Sequence, residues 1–344
     1  MTAEEVVLDV DALTDWVGDR LSGHGERFAA ERMGQGVGVA NALFFIRRGG
    51  REWVLRRPPA VKVHRTASDT SREWRILNAL EGTAVPHPKP HLYCNDPGVI
   101  GSSFIVMQKI DGFTPGGGLS APFDSNPHAR WDLAMVYVDG LVELSRVDWR
   151  AAGLEGLGRP ETFLERQVGR WLSQLEEYRT RTLPEESFLC RWLEDNRPPM
   201  SPAAILHGDY SPFNVMVTPA LPARLVAIID WDTATIGDPL LDIGHLLARW
   251  TEPGETSAIG RDTPALPGYP TRREMAQRYE AKTGRSLSAL PYYQALSLFK
   301  LGVILEGRYA RDRAAGLPDG LDPAGGAAPQ LFRVAAEFAR GQRT

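Results

Sequence analysis

Residues 207–214 read His-Gly-Asp-Tyr-Ser-Pro-Phe-Asn, and residues 228–232 read Ile-Ile-Asp-Trp-Asp. Asp209 and Asn214 stand five positions apart in what reads as a loop, and Asp230 closes an apolar stretch 21 positions beyond Asp209. A carboxylate and an amide oxygen converging from two strand ends are hard donors suited to Mg2+, and a second carboxylate then stays free to orient a hydroxyl. Phosphoryl transfer asks for little more. The protein positions an in-line nucleophile, neutralises phosphate charge through metal, and clamps the phosphates. Taken singly, Asp209 could cap a turn and Asn214 could relieve a tight one. Taken in order, with the apolar run before Asp230 as context, the three residues point to phosphoryl transfer.

Positioning such groups needs strands that end together, and the chain supplies them in two compositional regimes. In the first, 9–21 carries Leu13, Val17 and Leu21 at helical spacing,. Segment 33–48 has glycines at 34, 36 and 38 followed by an apolar run, and Gly49-Gly50 leads into 52–57, the pattern of a hairpin,. A helix is expected from Ser68, with Trp74, Leu77 and Leu80 on one stripe, ending at Gly82,. Strands are expected at 91–94 and 103–110. Beyond Lys109 helical periodicity dominates, near 128–147, 161–178, 184–195, 239–250, 271–284, 291–313 and 328–340. It is interrupted at 203–230 by short apolar runs that read as buried strands. The chain therefore divides into 1–108, a strand-rich unit, and 109–344, a larger helical unit carrying Asp209, Asn214 and Asp230.

The composition bounds the partners. The 344 residues carry a formal net charge of −4, which argues against broad attraction to nucleic acid or membrane surfaces,. Two cysteines, with no C-x-x-C pair, exclude a disulfide scaffold and a cysteine zinc site,. The acidic start, Met-Thr-Ala-Glu-Glu, lacks a secretory pattern, and no apolar run is long enough to span a bilayer, so a cytoplasmic location is expected,. No acidic run marks a site for a polycation, and the scattered Glu176, Glu177, Glu185 and Glu186 read as solvated helix faces,.

The His-Gly-Asp-x-x-x-x-Asn run and the Ile-Ile-Asp-Trp-Asp segment resemble the catalytic loop and metal-binding segment of the aminoglycoside phosphotransferase and choline kinase-like family. The resemblance covers most of the chain. It implies an α+β, bilobal protein-kinase-like fold, with a small antiparallel-sheet N-lobe, 1–108, covering a nucleotide and a larger, mainly helical C-lobe, 109–344, carrying the catalytic and acceptor groups. It also implies Asp209 as catalytic base, Asn214 and Asp230 as Mg2+ ligands, ATP as phosphoryl donor and a small-molecule hydroxyl as acceptor. Arg56 stands where the kinase strand lysine would be, and Glu73 resembles its ion-pair partner. Arginine brings a planar fork in place of a compact ammonium, and the plain alternative is a solvated surface arginine beside Arg57 and Arg65. The glycine run resembles the phosphate-covering loop, though Val39 replaces its last glycine. Backbone groups near Gln108 and Ile110 would hold adenine, with Val54 over its face. Asp238, Asp242 and His207 are expected to be architectural. The segments VLRRPP, REWRILNAL, VMQKIDG and FKLGVILEGRYAR resemble the kinase-like module fused to some acyl-CoA dehydrogenases, which implies a hydroxylated acyl-type acceptor beside the antibiotic alternative. A catalytically inactive nucleotide- or acyl-CoA-binding module is the competing class.

Overall fold

A computed structural model describes residues 8–33, 42–58, 70–259, 263–316, 322 and 325–343. The glycines at 34, 36 and 38, Val39 and Arg65 lie outside the described residues. Five strands, β1 (Ala29–Arg32), β2 (Ala42–Arg48), β3 (Arg51–Arg57), β4 (Pro90–Cys94) and β5 (Phe104–Gln108), form one antiparallel sheet in the order β1-β2-β3-β5-β4. Pairing of Arg48 with Arg51 leaves Gly49-Gly50 as a two-residue turn, at φ +57° and +71°. Two consecutive positive φ angles match the right-handed strand twist, and glycine adopts them without a Cβ penalty. Along β2, Phe44 and Ile46 face a core completed by Leu13 and Val17 of α1 (Val10–Val17) and by Phe104. The sequence carries no signal for β1: Ala-Ala-Glu-Arg is exposed throughout and joins the sheet edge through backbone pairing and a surface Glu31–Arg47 ion pair at 3.3 Å,.

Helix α2 (Thr70–Leu80) buries Glu73, Ile76, Leu77 and Leu80, an i, i+3, i+4, i+7 stripe whose first member is a carboxylate,. Its partner is Arg56 of β3. The Arg56 and Glu73 side chains, both nearly inaccessible, form a direct ion pair that fastens the helix to the sheet. The surface-arginine alternative for Arg56 therefore fails, and Arg57 is also buried, donating from Nη1 to the Ile100 carbonyl at 3.2 Å.

The rest of the chain is mainly helical. After the four-residue α3 (Pro97–Ile100) come α4 (Pro127–Arg146), α5 (Gln167–Glu177) and α6 (Glu186–Asp195). Four short strands follow: β6 (Ala204–Leu206), β7 (Val215–Val217), β8 (Leu225–Ile228) and β9 (Thr235–Gly237), paired as the antiparallel ribbons β6-β9 and β7-β8. Helices α7 (Leu240–Ala248), α8 (Arg272–Thr283), α9 (Leu290–Ala314) and α10 (Ala327–Ala339) complete the body. Asn126 caps α4 ahead of Pro127, and Thr271 and Glu274 form a reciprocal capping box on α8,. The expected helix at 161–178 is two pieces, a 3-10 turn at Pro160–Thr162 and then α5, because Phe163 and Leu164 turn inward between them and Phe163 packs on Gly237. No helix among the described residues is long and apolar enough to cross a membrane.

The Arg56–Glu73 pair makes stability depend on pH. Burial raises the Glu73 carboxyl to about 7 against the pull of Arg56. Between the ordinary value of 4.5 and that raised value the folded chain holds a proton that the unfolded chain has released,. The stability contributed by this group is therefore fully present below the lower value and is lost as pH rises through the upper one. Arg56→Met leaves Glu73 without its counter-charge and is expected to cost about 3–5 kcal/mol near pH 8. The deficit should shrink near pH ~5.5, where Glu73 is neutral in the variant. Urea denaturation at the two pH values checks this, and an equal deficit at both would contradict it.

Candidate active site

The β7-β8 ribbon explains how residues 16 positions apart meet. Val215 pairs with Ile228, so Asn214, entering β7, lies beside Ile229 and Asp230, leaving β8. The Ile229 N–H donates to the Asn214 carbonyl at 2.9 Å. From this end Asn214 Nδ2 donates to the Asp209 carbonyl at 2.8 Å and to Asp209 Oδ2 at 2.9 Å. An amide that spends its NH2 group on Asp209 keeps its Oδ1 for a different partner.

The loop holding Asp209 is clamped from α7. Asp242 accepts from the His207 N–H at 2.6 Å through Oδ2 and from the Gly208 N–H at 2.8 Å through Oδ1. Gly208 adopts φ +83°, and a Cβ there would fall 2.7 Å from the Thr233 carbonyl oxygen, so this position requires glycine,. His207 makes a 2.9 Å hydrogen bond between Nε2 and the Ile229 carbonyl, tying the loop to the end of β8, and its own carbonyl accepts from Thr233 Oγ1 at 2.8 Å. Asp238 accepts from the Ser201 N–H, the Leu240 N–H and the Tyr293 hydroxyl. His207, Asp238 and Asp242 each tie separate backbone segments together.

The Asp209 side chain retains 43% exposure, so it is open to groups from solution. Partial burial alone would raise its carboxyl. His245, Lys300 and His207 outweigh that and hold it well below the usual carboxylate range. Asp230 shifts the other way, raised first by burial, with Arg56 opposing and Asp232 adding repulsion. Its backbone sits in the left-handed region at φ 65° and ψ 66°. Arg56 Nη2 reaches Asp230 Oδ1 at 3.0 Å and Asp232 Oδ2 at 2.7 Å, so one guanidinium joins the sheet, α2 and the segment after β8.

Beside these groups opens a cleft of about 580 Å³. Val54, Met107, Met216 and Ile229 give it apolar walls, while Arg56, Glu73, Asn214 and Asp230 reach it as polar groups. Gln108 and Ile110 also line it. The Gln108 N–H is already committed to the Lys89 carbonyl at 2.8 Å, and its side-chain oxygen accepts from the Lys89 N–H at 3.3 Å. Among the described residues, the main-chain polar groups of Ile110 meet no protein partner. The seven residues singled out from sequence thus divide into a polar group, Arg56, Glu73, Asp209, Asn214 and Asp230, and the connector pair Gln108 and Ile110.

Three further groups were not visible as site residues from sequence. Asp232 shares Arg56. His245 places Nε2 3.2 Å from Asp209 Oδ1, and Lys300 Nζ donates to the Gly208 carbonyl. His245 follows Asp242 by three positions, one helical turn, which was an available signal. Lys300 lies 91 residues beyond Asp209 on α9, inside the FKLGVILEGRYAR segment, and no spacing ties it to the Asp209 loop.

The phosphotransferase enzyme family matches residues 35–275. Acyl-CoA dehydrogenase family member 11 of Gallus gallus is 32% identical over 283 residues, 80% of this chain and 36% of the relative, so the chain spans little more than a third of that protein. A solved Ralstonia eutropha protein, assigned provisionally to the aminoglycoside phosphotransferases, superposes with a TM-score of 0.81 at 28% identity, covering 97% of this chain and 99% of its own. Choline kinase from Cryptosporidium parvum superposes at TM-score 0.65 and 12% identity, covering 97% of this chain and 96% of its own, a likeness of fold. On a family match that spans most of its length, the chain belongs to the phosphotransferase enzyme family and has a protein-kinase-like fold.

Proposed function

We propose that this chain transfers the γ-phosphoryl group of ATP, with Mg2+, to a hydroxyl of a small molecule. The observation carrying this reading is the shared end of the β7-β8 ribbon. There Asn214 locks the Asp209 carboxylate with its NH2 group while its amide oxygen and the Asp230 carboxylate stand at neighbouring strand ends. In this reading 1–108 covers the nucleotide and 109–344 carries the catalytic and acceptor groups. Gln108 and Ile110 offer main-chain groups to adenine, with Val54 and Met107 as apolar surface.

Asn214 Oδ1 and the half-exposed Asp230 carboxylate suit a hard cation,. Among the described residues no three carboxylate, imidazole or thiol groups gather into a self-sufficient metal cage. That fits Mg2+ in phosphoryl transfer, which draws further oxygens from phosphate and water. When bound, the metal supplies charge neutralisation on the phosphates. Asp209 orients the acceptor hydroxyl and receives its proton, and Arg56, held by Glu73, presents fixed positive charge beside Asp230.

The acceptor side favours an anionic, hydroxylated metabolite of acyl type over a polycation. Lys300 Nζ lies 5.7 Å from the centre of the Trp171 ring and the Arg170 guanidinium 5.0 Å from it. Neither has a carboxylate at ion-pairing distance among the described residues. Burial lowers both pKa values; Arg166 and Arg72 depress that of Arg170 further, while for Lys300 the pull of Asp209 and Asp242 opposes burial and Arg170 adds to it. Converging cations that oppose one another's charge suit an anion and disfavour a second cation.

Asp209→Asn is expected to lower ADP production by about 10³-fold or more with the thermal melt unchanged. A wild-type rate in this variant would remove Asp209 from the mechanism. Coupled ADP release across aminoglycosides, macrolides, choline, sugars and hydroxyacyl-CoAs identifies the acceptor; tight Mg·ATP binding without turnover would favour an inactive binding module. Arg170→Glu should raise the KM for an anionic acceptor about tenfold while leaving the KM for Mg·ATP in place. Preferential turnover of a polycationic aminoglycoside would overturn the assignment of the acceptor.

A further inference from the structure

We propose that His245 is a positioning residue for Asp209, an inference that rests on the phosphotransferase reading above. Helix α7 aims two side chains one turn apart at the same loop: Asp242 takes its backbone N–H groups, and His245 meets the carboxylate they position. The imidazole is 3% exposed. Its Nε2 stands 3.2 Å from Asp209 Oδ1 without the direction of a straight hydrogen bond, and its Nδ1 has no partner among the described residues. A buried, polar ring seldom goes without partners unless the site uses it.

The groups facing this ring decide its state. Asp209 favours the imidazolium, while Arg249 on the residues following α7 and Lys300 on α9 oppose it. Burial is the largest influence and keeps the ring below its ordinary value, hence neutral near neutral pH. A neutral ring directed at a carboxylate carries its hydrogen on Nε2 and donates it. Closing that contact gives Asp209 one neutral donor for each oxygen, Asn214 Nδ2 already on Oδ2 and His245 Nε2 facing Oδ1. Two donors on opposite oxygens set the plane of the carboxylate, and each oxygen keeps a lone pair for the incoming hydroxyl. Such contacts tighten when the acceptor is in place.

The test uses the full chain with Mg·ATP as donor and water as acceptor, following ADP release, with His245→Leu, His245→Gln and His245→Asn. A Gln amide reaches the position of Nε2, whereas the shorter Asn amide reaches only that of Nδ1. His245→Leu should lower kcat about 10²-fold with the KM for Mg·ATP unchanged. His245→Gln should recover most of the rate and His245→Asn should not. Equal damage in Gln and Asn variants, or a wild-type rate in the Leu variant, overturns the positioning role; should the Leu variant fail to fold, the Gln and Asn comparison decides alone. A wild-type chain that binds Mg·ATP yet releases no ADP with water or with any of the hydroxylated acceptors sinks the phosphotransferase reading and this proposal together. An active wild type that is indifferent to position 245 sinks only the latter.

Discussion

The site depends on a carboxylate that is itself buried. Asp242, buried on α7, accepts the N–H groups of His207 and Gly208 with its two oxygens. Two adjacent amides pointing the same way require an unusual backbone, and the positive φ of Gly208 supplies it,. Burial works against the Asp242 charge, raising its carboxyl above the ordinary range, and the donated hydrogen bonds and nearby His207 and Lys300 oppose that shift. The direction of the next side chain, Asp209, follows from this clamp. So does the reach of His207 to the end of β8, which brings the loop and the segment holding Asp230 into one frame.

A second electrostatic knot spans the cleft. Arg56 is held by Glu73, Asp230 and Asp232, which keep its proton on despite burial. Three carboxylates around one cation leave negative charge in excess, and the excess lies with Asp230 and Asp232, the more exposed members. Such a knot is a poor source of stability compared with an apolar core of the same volume. Under the proposed phosphotransferase reading, it is a charge distribution suited to a multivalent cation and a polyanion.

How much of this was legible in the sequence follows from what each feature encodes. The Gly49-Gly50 hairpin, the strand ending at Asp230 and the long C-terminal helices were legible because turn chemistry and apolar periodicity are local. The Asp209–Asn214–Asp230 group was legible because loop spacing and a strand end are also local, though their meeting depends on the β7-β8 register. Strand β1 was not, since an exposed edge strand held mainly by its main chain places no demand for apolar alternation on its side chains. Nor was Lys300, whose position follows from the path of α9 across the body. The contact of His245 with Asp209 lay between these cases: the turn linking it to Asp242 is in the sequence, but the aim of α7 is set by packing, with Gly244 pressed against Tyr293 where a Cβ would come within 2.6 Å.

The left-handed backbone at Asp230 narrows what that position can be, independently of its charge. Branched and bulky side chains pay heavily at positive φ, while Asp, Asn and Gly are tolerated. Exchange with Glu, the usual way to keep a carboxylate, would lengthen the side chain and move the carboxylate even where the backbone is kept, as Glu185 keeps it at φ 60°. Exchange with Asn would keep the backbone and remove only the charge. Geometry and electrostatics, normally entangled at a ligand position, are therefore separable here by a single atom pair, and drift at this position is channelled toward asparagine and glycine before any selection on catalysis is considered.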